Sequence, residues 1–372
     1  MWLCDLLVVG LGRVVANGHD VLIVRTDGIG DYVLWLESAK ALRAMYPPSM
    51  YHVTLLGNSI WMDLAKEHGI FDRYIPVDIK RFTYSFSYRY AILKEVRRQK
   101  YETVVYPVYS RFFHKGDLIV RASGARNAIG SVGDCSNILP WFKRMSDRWY
   151  TQLIPASSAP KSELERNVEF LEGLGCRGVP ACVASMPVNA SAVPSALSRL
   201  TFFTIFPGAG LPEKQWPLER FAEIARRVRA STGWKAVICG GKADASLGDA
   251  LCGMLGADAQ NWAGHTSLTE LAAILSRATL VIANDTGAVH IAAAVGTPVV
   301  CILGGGQYGR FLPYAHGSGG NVPRVVAVTM PCFNCNWQCT HPAHQGAVVP
   351  CIMEIPMETV WRETEKVISE RH

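Results

Sequence analysis

The sequence predicts an α/β protein of two domains, each built on a parallel β-sheet with helices on its faces. Three observations carry this. Apolar runs of strand length alternate with amphipathic runs of helix length along most of the chain. The alternation breaks at Val179–Ser198, a stretch rich in Ala, Ser and Val, with Pro180, Pro187 and Pro194. The 372 residues, 49% of them apolar, suffice for two cores at ~100–200 residues per domain. The expected division is an N-terminal extension over 1–18, a first domain over 19–178, a linker over 179–198, a second domain over 199–352 and a C-terminal helix over 353–372. Two similar α/β halves facing a central cleft are the architecture this implies.

Composition narrows the function classes. A net charge of +6 permits an anionic partner but does not mark a general nucleic-acid binder. No apolar run reaches the ~18 residues of a membrane span. Met1–Val15 is apolar but holds Asp5 and Arg13, and it lacks the basic start and cleavage site of a signal peptide. It reads as a weakly amphipathic helix, with a peripheral membrane anchor as the alternative. Seven of the eleven cysteines are scattered singly, which suits reduced thiols in a cytoplasmic setting.

In chain order, Asp20–Arg25 is expected as a central strand, because Val21–Val24 is continuously apolar. The turn Thr26-Asp-Gly-Ile-Gly-Asp31 follows, then a helix from about Tyr32 to Met45, stopped by Pro47-Pro48. Gly28 and Gly30 let backbone approach a ligand closely. The turn lacks both the third glycine of a dinucleotide fingerprint and the Lys-Ser/Thr of a P-loop. Asp31 reads either as a first-turn acid favoured by the helix dipole or as a functional carboxylate. Tyr51–Leu56 and Ser59–His68 form the next strand and helix. Lys80–Lys100 holds Arg81, Arg89 and five further basic residues against one acid, Glu95. Its expected form is an aromatic loop followed by a basic helix, Tyr90–Gln99. It reads as a solvated face or as a platform for an anionic acceptor or membrane headgroups. Thr103–Val108 is a strand, leaving Arg111 and His114 at a strand's carboxyl end. Ser162–Leu174 is a helix.

The second half opens with the strand Phe202–Phe206 and the loop Pro207-Gly208-Ala209-Gly210 through Lys214-Gln-Trp-Pro217. Helices are expected at Phe221–Val228, Leu247–Leu255 and Leu268–Ser276, with a strand at Trp234–Cys239. Ser267 and Glu270 make a capping box. A compact βαβ unit follows: strand Thr279–Ile282, a turn carrying Asp285, Thr286 and Gly287, helix Ala288–Val295 with His290 on its first turn, and strand Val299–Leu303. Turns at strand carboxyl ends and helix N-termini favour phosphate, so this is a candidate diphosphate corner, with Lys214 as its cation. Gly304–Arg310 and Phe311–Tyr314 continue from it and read as a flexible glycine loop or as a cover for the nucleotide base. Finally, Cys332, Cys335, Cys339 and Cys351 lie within 20 residues, with Trp337, His341 and His344 nearby. Four such ligands suit a structural zinc or iron site, against unmetallated packing or disulfides.

Three blocks in order, Val21–Asp31, Phe206–Gly210 with Lys214–Pro217, and Asn284–His290 through Gly296–Pro298, resemble glycosyltransferase family 9, the family of ADP-heptose–lipopolysaccharide heptosyltransferases. Ser123–Gly130 resembles a weaker block between them. The resemblance implies a GT-B fold of two Rossmann-like domains and inversion at the donor sugar's anomeric carbon. It implies Asp31 as catalytic carboxylate and Lys214 as the lysine holding donor phosphate. It places Asp285, Thr286, Gly287 and His290 in the diphosphate turn, with Gly28, Gly30, Gly208 and Gly210 as further donor contacts. Arg111, His114, Arg81 and Arg89 are the candidate acceptor contacts. Catalysis would need no cofactor, consistent with the lack of an Asp-x-Asp pair. Expected partners are a nucleotide-sugar donor, ADP-heptose or another, and an anionic glycan or lipid-linked acceptor, with peripheral attachment to the inner membrane. A similar cysteine-rich tail recurs in members that glycosylate autotransporter proteins. An epimerase or hydrolase on the same fold is the alternative chemistry.

Overall fold

The computed structural model describes residues 18–314, 321–341 and 347–371. The helix expected in Met1–Val15 therefore lies outside the described residues, as does His344. The described chain divides into two units, with the boundary between Ala181 and Cys182.

Unit 1 holds a six-stranded parallel sheet. Its strands are β1 (Asp20–Arg25), β2 (His52–Asn58), β3 (Arg73–Val77), β4 (Thr103–Tyr106), β5 (Asn127–Ser131) and β6 (Gln152–Ile154). Their order is β3-β2-β1-β4-β5-β6. Ile23 of β1 pairs with Leu55 on one side and Val105 on the other, so β1 is central and buried on both faces. One core face is built from Leu22, Val24, Leu56, Leu93, Val96, Val104, Tyr106 and Ile119. Each such side chain, fully buried, contributes about 1.5–3 kcal/mol.

Unit 2 repeats the plan with β7 (Phe202–Phe206), β8 (Lys235–Ile238), β9 (Ala259–Asn261), β10 (Val281–Asn284), β11 (Val299–Ile302) and β12 (Arg324–Val326). The order is β12-β11-β10-β7-β8-β9, which is the same doubly wound order starting from β7. Ile282 of β10 pairs with Ile205 of β7 and Val300 of β11. The C-terminal helix Met357–Ser369 joins this unit's core through Val360, Val367 and Ile368. In both units the strand order reverses at the first strand, between β1 and β4 and between β7 and β10. Loops leaving those strands are where an open α/β sheet binds ligands.

Two sequence expectations change. The aromatic stretch after Lys80 is helical, as Ile79–Tyr84 and Phe86–Arg98. Asp78 starts the first helix by accepting the Arg81 N–H, and Ser85 restarts the chain between the two. The helix after β1 begins at Ile29, not near Tyr32, so Asp31 lies inside its first turn. Residues 179–198 contain one short 3-10 turn, Ala190–Ala192, and no strand. Among the described residues, no helix is long and apolar enough to cross a membrane.

Candidate active site

In unit 1 the turn after β1 carries a buried charge cluster. Arg25, the last residue of β1, is fully buried over the Trp35 ring. Its Nε pairs with Asp27 Oδ2 at 2.9 Å and its Nη2 with Glu163 Oε1 at 3.6 Å. It also donates to Asn167 Oδ1 at 3.1 Å and to the Asp31 carbonyl at 3.2 Å. Two carboxyl groups, Asp27 and Glu163, thus pair with one guanidinium, which reaches Asp31 through its backbone carbonyl. Burial pushes the Asp31 carboxyl up to about 8, reinforced by the negative charges of Asp27 and Glu163 and opposed by Arg25 and the Gly28 N–H. Burial raises Asp27 as well, against Arg25. A carboxyl group poised near neutrality is suited to take a proton.

Gly28 and Gly30 belong to this unit-1 turn. Gly28 donates its N–H to Asp31 Oδ2 at 3.1 Å, so its local role is to hold the carboxylate. Glu163, Asn167 and Arg25 were missed by the sequence reading. Ser162 and Glu163 signal only a helix start, and contacts 142 residues apart leave no local pattern.

Of the candidate acceptor residues, two are corrected. Arg89 is buried and donates to the carbonyls of Phe82, at 2.8 Å, and Thr83. It locks the two helices together instead of facing solvent. Arg111 is buried under the Tyr150 ring and paired with Asp117 and Asp147. Arg81 is exposed, with its guanidinium over Tyr88, and His114 is exposed beside Phe113 and Phe142.

In unit 2 the loops leaving β7 and β10 are tied by one side chain. Asn284, buried at the end of β10, accepts the Trp216 N–H at 3.2 Å and donates to the Pro207 carbonyl at 2.7 Å. The Trp216 indole donates to the Ile355 carbonyl at 3.1 Å. These bonds fix the loop that bears Lys214. Burial lowers the Lys214 ammonium, while Asp285, Glu213 and Cys335 pull it back up. Asp285 is pushed up to about 6 by burial, against Lys214. Lys214 and Asp285 therefore share one neighbourhood.

The helix after Asp285 runs Gly287–Ala294, and Thr286 is its N-cap without a side-chain cap bond. The Thr286 hydroxyl is buried and makes no hydrogen bond. First-turn amides, an unpartnered hydroxyl and a nearby lysine are groups whose chemistry suits an anion. His290 differs from expectation: it is buried, and its Nδ1 lies 2.6 Å from the Tyr314 hydroxyl. Burial lowers it to about 4, so it is neutral and orients Tyr314.

The loop glycines also change meaning. A Cβ on Gly208 would overlap the Asp244 carboxylate, which caps its own turn at the Gly241 N–H. Gly208 is thus small for Asp244, while Gly210 faces open space. Gly304, Gly305 and Gly306 do not form a free loop. They are the floor on which Phe333 and Trp337 of the cysteine segment lie.

The four cysteines of that segment share one region. Burial raises the Cys351 thiol, as do Cys332, Cys335 and Cys339, and the Gly305 N–H lies 3.4 Å from Cys351 Sγ. Thiols are the donors that zinc and iron–sulfur chemistry prefer. Yet among the described residues no three His, Cys, Asp or Glu side chains converge as a metal-holding group. The donor type fits; the convergence does not.

Residues 181–336 match the profile of glycosyltransferase family 9 (heptosyltransferase). That span takes in the loops bearing Lys214 and Asp285 and two of the four clustered cysteines, Cys332 and Cys335. The match makes this part of the chain similar to glycosyltransferase family 9. The chain is 31% identical over 103 residues to lipopolysaccharide heptosyltransferase 2 of Salmonella typhimurium, covering 26% of this chain and 29% of that protein. The match thus spans under a third of that relative's length. Among solved structures, the chain is similar to the E. coli ADP-heptose lps heptosyltransferase II. The identity there is 17% and the TM-score 0.70, with 95% of this chain and 99% of that one covered. It is also similar to the iron-containing dodecameric glycosyltransferase TibC of enterotoxigenic E. coli. That likeness has 15% identity and a TM-score of 0.59, covering 97% of this chain and 79% of that one. With the two six-stranded sheets, these likenesses show the GT-B fold.

Proposed function

We propose that this protein is an inverting glycosyltransferase that moves a sugar, heptose or a relative of it, from a nucleotide-diphosphate donor to a lipopolysaccharide or other surface-glycan acceptor. The observation that carries the reading is the anion corner of unit 2: Lys214, the Asp285 turn and the uncapped Thr286–Gly287 helix start fall inside the family 9 match. In the reaction, an acceptor hydroxyl oxygen bonds to the anomeric carbon while its proton passes to Asp31. The bond from that carbon to the diphosphate oxygen breaks. Lys214 and the first-turn amides of Gly287–Ala294 stabilise the departing diphosphate. No step needs a cofactor.

Exposed Lys80, Arg81 and Lys94 lie among exposed Tyr84, Phe86 and Tyr90. This mixture supports an anionic, lipid-linked acceptor and peripheral attachment at the cytoplasmic face of the inner membrane. The four cysteines do not converge as they stand; they are proposed to take up a structural zinc or iron that draws the thiols together, a reading supported by their shared neighbourhood and by the iron in TibC. Metal analysis of the purified protein is expected to find about one ion per four-thiolate set; none in protein purified without chelator overturns that part. The activity is tested by following nucleoside diphosphate released from a panel of nucleotide sugars with acceptor glycan. Release coupled to transfer is expected. Sugar freed equally without acceptor would make the protein a hydrolase.

A further inference from the structure

The cysteine segment reaches the phosphate-side lysine. Lys214 Nζ lies 3.7 Å from the centre of the Trp337 ring, within cation–π range. Trp337 is held there from behind. A Cβ on Gly304 would come within 2.8 Å of its ring, and one on Gly306 would overlap it. The Asn334 and Asn336 N–H groups donate to the carbonyls of Gly305, at 2.7 Å, and Gly306, at 2.8 Å. The Gln307 side chain donates to Asn336 Oδ1 at 2.7 Å. The backbone turns through positive φ at Asn334 (65°), Asn336 (50°) and Trp337 (62°). Positive φ is rare for a bulky side chain, and such conformations persist where surrounding contacts over-determine them. Here those contacts aim an indole face at one ammonium.

We propose that Trp337 is a positioning residue for Lys214, and that the cysteine segment is thereby a working part of the diphosphate half-site. The indole face orients the ammonium without neutralising it, since an aromatic ring carries no net charge. A carboxylate in the same place would compete with phosphate for the lysine. The role rests on reading Lys214 as the diphosphate-binding cation.

The test compares Trp337→Leu and Trp337→Met, which keep apolar bulk, with Trp337→Phe, which keeps an aromatic face. Two readouts are taken on full-length protein. The first is the rate at which an N-hydroxysuccinimide ester acylates Lys214, read by peptide mass and referred to exposed Lys242. The Leu and Met variants are expected to speed Lys214 labelling severalfold with Lys242 unchanged, and the Phe variant to stay near wild type. The second is affinity for ADP, GDP and UDP. For whichever binds wild type, the Leu and Met variants are expected to weaken binding roughly three- to thirtyfold, the Phe variant less than about threefold. In a Lys214→Ala background the same changes are expected to have no further effect on affinity. Unchanged Lys214 labelling in both aliphatic variants overturns the proposal, as does an affinity loss equal in the presence and absence of Lys214. If one aliphatic variant fails to fold, the other and the Phe variant still decide it. If no diphosphate binds wild type, the reading of Lys214 is what fails, and the labelling rates alone judge whether Trp337 holds it.

Discussion

Asp31 is under competing demands. Its carboxylate accepts the Gly28 N–H, which favours ionisation, yet burial and two neighbouring carboxylates push it up to about 8. At pH 7 a group of pKa about 8 is ionised in only about a tenth of molecules. If Asp31 is the base, kcat/KM rises roughly tenfold per pH unit below about 8 and levels above it. Glu163 is one of the charges holding it up, so Glu163→Gln is expected to move that limb to lower pH. An unshifted limb would assign the titration to another group. Because Asp27 titrates beside it, the measured value belongs to the pair. The linkage sign follows from the raised value. Between the usual 3.8 and about 8 the folded state binds more protons than the unfolded, so stability falls across that window. Asp31→Asn is therefore expected to abolish most activity, by about 10²–10⁴-fold, while raising Tm relative to wild type, more so at pH 8 than at pH 5. At the opposite charge, Lys214→Ala removes a charge-assisted contact to phosphate. It is expected to weaken nucleoside diphosphate binding by about 1.5–3 kcal/mol in calorimetry, and wild-type affinity would remove Lys214 from the site.

At the scale of elements, the unit-2 site depends on Asn284 binding two loops. Asn284→Ala leaves the Trp216 N–H and the Pro207 carbonyl without their buried partner. Each orphaned group costs about 1–3 kcal/mol, and each kcal/mol lowers Tm by roughly 2–4 °C in a domain of this size. Thermal unfolding of the variant is expected to show that loss together with weaker diphosphate binding; lower Tm at unchanged affinity would make Asn284 a fold residue only. The elements that form this site were legible in the sequence where the signal is local. Continuous apolar runs gave β1, β7 and β11, and Ser162 and Ser267 gave helix starts confirmed by their side-chain bonds. What escaped were roles set by distant partners. Glu163 approaches Arg25 from far along the chain, and His290 turns to Tyr314 within the fold, away from the role expected of it. Gly208 and the Gly304–Gly306 run looked like ligand loops because glycine advertises close approach. It does not say whether a phosphate, a carboxylate or an indole does the approaching. Arg89 and Arg111 looked like surface cations because composition alone does not show which arginines find buried carbonyls or carboxylates.

The whole molecule is two doubly wound sheets, each with its own core, and the proposed chemistry draws on residues of both. Unit 1 carries the titrating carboxyls, and unit 2 carries the cation and the helix start. A ligand stabilises the part that binds it by RT ln(1 + [L]/Kd), about 2.7 kcal/mol at one hundred times Kd. Separate cores are expected to unfold in separate steps, because a transition is all-or-none only within one cooperative unit. Calorimetry of the full chain is therefore expected to show two transitions, with a saturating nucleoside diphosphate raising one and leaving the other in place. Hydrogen exchange locates the shifted step: protection should gather at Pro207–Trp216 and at 285–290, with the turn at 26–31 unaffected. Adding an acceptor glycan should protect unit 1 instead. A single transition that moves as a whole would mean the two units melt as one. Diphosphate protection centred on the turn after β1 would reverse the assignment, making unit 1 the donor side and leaving Lys214 and Asp285 to explain otherwise.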